Sequence, residues 1–159
     1  MLTLTVPGGE LYDEQQNMFI YIKGCTIVLE HSLVSLSKWE SKWHKPFISE
    51  VEKTTEEVID YIKCMTITQN VDPEIYKYMD NTILQKVNDY IDNPMTATTI
   101  SSVKGGVARK EVITSEIIYY QMIAYNIPFE CQKWHLNRLL TLINVCNVKN
   151  NPDNKMSVS

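Results

Sequence analysis

The sequence predicts a mainly helical α+β fold: a bundle of about five helices with a small N-terminal β-sheet or hairpin. Three observations lead there. Leu2-Thr-Leu-Thr-Val6 alternates apolar and threonine residues, the period of a strand. Beyond Ser32, apolar residues recur at three- and four-residue steps, the period of a helix. The chain has 159 residues, 44% apolar and 21% charged, enough to bury one core. One domain over residues 1–150 is expected, with its strands in 1–30 and a disordered tail over 151–159.

Each element has a local reason. Pro7-Gly8-Gly9 ends the first strand as a turn. Phe19-Ile-Tyr-Ile22 and Thr26-Ile-Val-Leu-Glu30 are two further strand-like runs, separated by Lys23-Gly24. Ser32 then caps a helix running to about Trp43, and Pro46 closes the segment. Leu33, Leu36, Trp39 and Trp43 share an arc of about 120° on it, with Lys38, Lys42 and Lys45 on the other side. Thr54 and Glu57 have the spacing of a capping box. Val58, Ile59, Ile62 and Met65 give the following helix its apolar face, and Thr66-Ile67-Thr68 ends it.

Asp72-Pro73-Glu74 opens the next helix with an acidic cap and a proline in the first turn. Its face is Tyr76, Met79, Ile83, Val87 and Tyr90, and Asn93-Pro94 stops it. Residues 95–113 read as a mobile hairpin or loop around Lys104-Gly-Gly106. Thr114 caps a further helix in which only Gln121 is clearly polar from Ile117 to Tyr125, so burial on several sides is expected. Asn126-Ile127-Pro128 breaks it, and Pro128 opens the last helix with Trp134, Leu139, Leu142, Ile143 and Cys146 on its apolar face.

Charge narrows the function. Lys and Arg number 15 and Asp and Glu 19, a net of -4, which argues against bulk nucleic-acid binding. The imbalance is local: residues 1–100 hold 8 basic and 15 acidic residues, whereas 101–159 hold 7 basic and 4 acidic. Such halves can attract each other within one molecule or between copies. No apolar run approaches the ~18 residues of a membrane span, and the first residues do not form a secretory leader. A soluble chain of a cytoplasm, with no membrane partner, is expected. Cys25, Cys64, Cys131 and Cys146 match no disulfide framework and read as packed thiols.

Chemistry-bearing patterns are thin. Cys131 and His135 stand at i and i+4, a spacing that suits two zinc ligands on one helix face, but no second pair completes a site. Cys64 and His44 lack any local arrangement as nucleophile and base. Lys104-Gly-Gly-Val-Ala-Arg-Lys110 lacks the phosphate-loop pattern, and the carboxylates from Glu50 to Asp60 read as a solvated helix start. No cofactor, metal or enzymatic activity is expected.

The near-repeat Ser37-Lys38-Trp39-Glu40-Ser41-Lys42-Trp43 stacks Trp39 on Trp43 and Lys38 on Lys42 along a helix. Two readings stay open: tryptophans that cover the N-terminal sheet, or a binding face with aromatic anchors.

Two strings carry a family resemblance. One is Leu29-Glu-His-Ser-Leu33 through Ser35-Leu-Ser-Lys-Trp-Glu-Ser-Lys-Trp43 to Pro46-Phe47. The other is Ser115-Glu-Ile-Ile-Tyr-Tyr120 with Ile127-Pro-Phe-Glu130 and Trp134-His-Leu-Asn-Arg-Leu-Leu140. Together they span most of residues 26–147, and they resemble the tail assembly chaperones of long-tailed bacteriophages (siphoviruses).

The resemblance implies a non-enzymatic protein of the host cytoplasm that is absent from the mature virion. It implies binding to the phage tape measure protein, assistance to tail tube protein assembly, and self-association or a frameshifted longer form. Partner-contact candidates are Trp39, Trp43, Lys38, Lys42, Ile117, Ile118, Tyr120, Trp134 and Arg138. Arg138 is one of two arginines, and a fixed polar role suits it. Two other classes remain: a structural virion component such as a head–tail connector or tail terminator subunit, and a small metal-binding protein or enzyme built on Cys131 and His135.

Overall fold

The computed structural model describes residues 1–98 and 112–150. In chain order the elements are β1 (Leu2–Val6), β2 (Gly9–Asp13), β3 (Met18–Ile22), β4 (Cys25–Leu29), α1 (Leu33–Trp43), α2 (Thr55–Met65), a 3-10 helix (Pro73–Tyr78), α3 (Asn81–Asp92), α4 (Ser115–Ala124), a second 3-10 helix (Phe129–Lys133) and α5 (Leu136–Asn150). The class is the mainly helical α+β one that the sequence predicts. The hairpin or loop expected over 95–113 lies largely outside the described residues, and the tail over 151–159 lies wholly outside them. The chain divides into two compact units, each made of two stretches. One is Met1–Glu30 with Lys53–Asp92, and the other is His31–Glu52 with the chain from Asn93 onward.

In the first unit the chain runs out along β1 and β2 and returns along β3 and β4. β1 pairs antiparallel with β4, and β2 with β3. Pro7-Gly8-Gly9 is therefore not the turn that ends a strand. It is a waist in a two-part hairpin, and Gly9–Asp13 is a second outgoing arm that the sequence reading missed. Glycine, glutamate and aspartate are poor strand formers, so the pairing with β3 sets the conformation of this arm. The waist explains Gly8. A Cβ there would come within 2.5 Å of the Gly24 nitrogen and closer still to the Ile22 carbonyl. The true turn is Glu14–Asn17. Asp13 caps it by accepting the N–H groups of Gln15 and Gln16, and Asn17 takes the left-handed φ of 52°.

Thr54 caps α2 by accepting the Glu57 N–H at 3.2 Å, and its hydroxyl donates to the Glu57 carboxylate. The buried side of α2 is rotated from the expected one. Tyr61, Ile62 and Met65 are buried, whereas Val58 is exposed. Glu57 and Asp60 are buried too, so this carboxylate-rich stretch is not simply a solvated face. After α2, Ile67 donates its N–H to the Val28 carbonyl, and the Thr68 hydroxyl accepts from Val28. The β-branched residues that end the helix thus run alongside β4.

The single helix expected from Asp72 to Tyr90 is two. The first is the 3-10 turn Pro73–Tyr78. Asp80 then restarts the chain by accepting the Ile83 N–H at 2.9 Å, an N-terminal cap that competes with continuation. The predicted face survives the break: Tyr76, Met79, Ile83, Val87 and Tyr90 are all buried, and α3 packs on β1. Among the strand residues whose burial is described, Leu4, Val6, Ile22, Ile27 and Leu29 are buried.

The second unit is helical. Leu33 and Leu36 of α1, Ile118 and Met122 of α4, Ile127, Cys131, and Leu136, Leu139 and Ile143 of α5 form one buried cluster. Ser32 and Ser35 cap α1 reciprocally, and His44 closes it with a left-handed φ of 55°. The start of α4 is capped differently from expectation. Thr114 makes no side-chain cap, and the first N–H of the helix, from Ser115, is taken by the Glu40 carboxylate at 2.7 Å. Pro128 opens the second 3-10 helix and not α5, which begins at Leu136.

Candidate functional site

The Ser-Lys-Trp repeat is split by burial. Trp39 is fully buried, edge-on to Phe47 at 5.1 Å between ring centroids and stacked on Trp43 at 6.0 Å. Trp43 is half-buried, with the Lys42 and Lys45 ammonium groups 5.9 and 5.8 Å from its ring. Lys38 and Lys42 are exposed. Trp39 therefore belongs to the core of its unit, while Trp43 and the two lysines reach the surface.

α4 is not buried all round. Ser115, Ile118 and Met122 face inward and Ile117 is half-buried, but Tyr120 is 68% exposed and Ile123 62%. Phe129, 55% exposed, lies edge-on to Tyr119 at 6.2 Å and extends this apolar surface. Trp134 is half-buried, and the Arg138 guanidinium stacks 4.0 Å above its ring. The fixed role of Arg138 is thus a cation–π contact from the first turn of α5 back to Trp134, which precedes the helix.

Cys131 and His135 do not share a helix face as their spacing suggested. Cys131 sits in the 3-10 turn, the chain bends at Trp134, and His135 precedes α5. Burial, then Glu130, raises the Cys131 thiol pKa, which keeps it protonated and unreactive. His135 accepts the Asn137 N–H through Nδ1 at 3.1 Å, capping α5. Its ring lies 5.1 Å from that of His31, edge to face, and both rings are buried. The His31 carbonyl accepts the Leu136 N–H at 2.9 Å. Burial and the neighbouring His135 pull the His31 pKa down to about 3. The two histidines join the start of α1 to the start of α5. Among the described residues, no group of three or more His, Cys, Asp and Glu side chains is placed to share a metal ion. None of the described helices is long and apolar enough to cross a membrane.

The surface that sequence reasoning missed is the β2–β3 hairpin. In its register Tyr12 opposes Phe19 and Glu10 opposes Tyr21. Directly opposed residues share a face, so three aromatic rings and a carboxylate lie together. Tyr12 is 48% exposed, Phe19 65% and Tyr21 75%. Half of the signal was present: the polar run Asp13 to Asn17 precedes the β-prone run Phe19–Ile22, whereas the first arm is poor in strand formers.

Comparisons with protein-family models, with curated proteins and with solved structures return no match to this chain.

Proposed function

We propose that the chain is a non-enzymatic tail assembly chaperone of a long-tailed phage, acting in the host cytoplasm. Its client is the tape measure protein, a long helical chain that must stay soluble while tail tube subunits assemble around it. The observation that carries this reading is the outer face of α4. Tyr120 and Ile123 stand one turn apart, largely exposed, on the helix that bears the second resemblance string. Exposed aromatic and aliphatic side chains at helical spacing suit a groove-and-helix contact with an amphipathic client. The half-buried Trp43 with Lys38 and Lys42 adds a second contact of the same kind. Self-association or pairing with a frameshifted longer form fits the same surfaces.

The test is co-expression with the tape measure protein of the same phage, followed by pull-down and a solubility assay. Soluble tape measure protein in complex with this chain, and absence of the chain from purified virions, is the expected result. Tyr120→Ser with Ile123→Ser should release the client while leaving the fold intact. A fixed copy number in virions without capture of the tape measure protein would replace the chaperone with a structural tail or connector subunit.

A further inference from the structure

The β2–β3 hairpin presents its two faces differently. On one, Ile22 is buried and Gly9 lies so close to Tyr78 that a Cβ would fall 2.5 Å from that ring. That side borders a cleft of about 350 Å³ against the 3-10 helix, where Glu74 pairs with Lys77 at 2.5 Å. On the other face, Tyr12, Phe19 and Tyr21 are open to solvent. Tyr12 and Phe19 are held edge to face at 5.1 Å between centroids, and the Tyr12 hydroxyl donates to Asn17 across the turn. Three exposed rings on one face of an open two-stranded sheet form an apolar patch, and such patches mark contacts.

Charge identifies the occupant. From Gly9 to Ile22 the chain carries Glu10, Asp13 and Glu14 and no lysine or arginine; Asp13 and Glu14 border the cleft beside Lys77, and Glu10 lies on the ring face opposite Tyr21. The ring faces are themselves electron-rich. Nucleic-acid phosphates and anionic lipid headgroups are repelled by this combination, and so is the same hairpin of a second copy. A cation over an aromatic face beside carboxylates is attracted by both, and arginine adds planar stacking and a forked hydrogen-bond geometry. We infer that the Tyr12–Phe19–Tyr21 face of the hairpin docks an arginine-bearing segment of a partner protein. The rings receive the guanidinium groups, and Glu10, opposite Tyr21 in the register, holds the charge. This contact is separate from the α4 face and does not depend on the identity of its client.

The test uses the full chain and a fluorescent peptide of about a dozen residues that alternates arginine and threonine. A matched peptide with glutamate for arginine and an oligothymidine of similar length serve as competing probes. The wild-type chain should bind only the arginine peptide, and binding should weaken with salt. Phe19→Ser with Tyr21→Ser retains every charge and should weaken binding about tenfold at an unchanged melting temperature. Glu10→Gln should weaken it severalfold. Glu52→Gln, which removes the same charge at an exposed position elsewhere, should not.

Equal binding by the ring variant would overturn the proposal, leaving only general attraction between a polycation and an acidic protein. So would preference for oligothymidine, or hairpin-dependent dimerisation in place of peptide binding. If the double variant fails to fold, Tyr21→Ser alone makes the comparison, and amide shifts on titration of the wild-type chain must cluster within residues 9–22. The peptides contain no tape measure sequence, so their failure leaves the chaperone test undecided, and the reverse holds equally.

Discussion

Glu40 accepts the backbone N–H of Ser115 at 2.7 Å, a contact that spans 75 residues of sequence and fixes where α4 begins. Its second oxygen takes the Phe47 N–H at 3.1 Å. One buried carboxylate on α1 thus caps a distant helix and holds the loop that brings Phe47 against Trp39.

Glu40→Ala leaves two donors in this site without their acceptor. Each orphaned group costs about 1–3 kcal/mol, so a loss of about 2–6 kcal/mol in urea unfolding is expected. Glu40→Gln keeps one acceptor oxygen and should cost less than half as much. Equal losses in the two variants would mean that packing, and not the hydrogen bonds, is what Glu40 supplies.

Acid should weaken the protein through His31. Its pKa falls from the ordinary 6.5 to about 3 on folding. The unfolded chain therefore takes the proton more readily, and the stabilisation is complete above about pH 6.5 and is lost as the pH falls toward 3. Between pH 7 and 5 the cost is about 2 kcal/mol. Denaturant titrations over that range should show the slope, and His31→Gln should flatten it.

The two tryptophans of the repeat should part company. Trp39→Ala empties a fully buried site and should cost about 3–5 kcal/mol. Trp43→Ala, at a half-buried position, should cost about 1–2 kcal/mol and leave a folded protein fit for binding assays. Thermal melts of the single variants decide this, and comparable losses would place Trp43 in the core as well.

Gly8→Ala should disrupt the hairpin waist, because the new Cβ would meet backbone of Gly24 and Ile22 and not a movable side chain. A loss of about 1–3 kcal/mol is expected. Amide exchange should quicken first in β2 and β3, and unchanged protection there would refute the close approach.

Much of the fold was legible because its signals are local. Ser32 and Thr54 cap the helices they were expected to cap, and Ile83, Val87 and Tyr90 turn inward as their spacing required. What failed depended on distant partners. β2 exists because β3 lies beside it, and α4 is capped by Glu40 from another helix. The helix expected from Asp72 to Tyr90 broke because Asp80 offered a second cap, and a periodic apolar face does not reveal that break. Trp39 and Trp43 share the preceding Ser-Lys, and that shared context does not show which of the two is covered. The aromatic face of the hairpin was hidden for a related reason: Tyr12 and Phe19 meet only through the pairing of β2 with β3.

The interleaving of the two units sets an order for synthesis on the ribosome. α1 is complete at Trp43, but α4 does not begin until Ser115, about 70 residues later. At roughly 5–20 residues per second, Leu33, Leu36 and Trp39 wait several seconds for the helices that will cover them. During that interval the nascent chain must accommodate an unsatisfied apolar stripe while the strands and α2 and α3 can already assemble. The helical unit, although its first helix is made early, can close only after α5 has emerged.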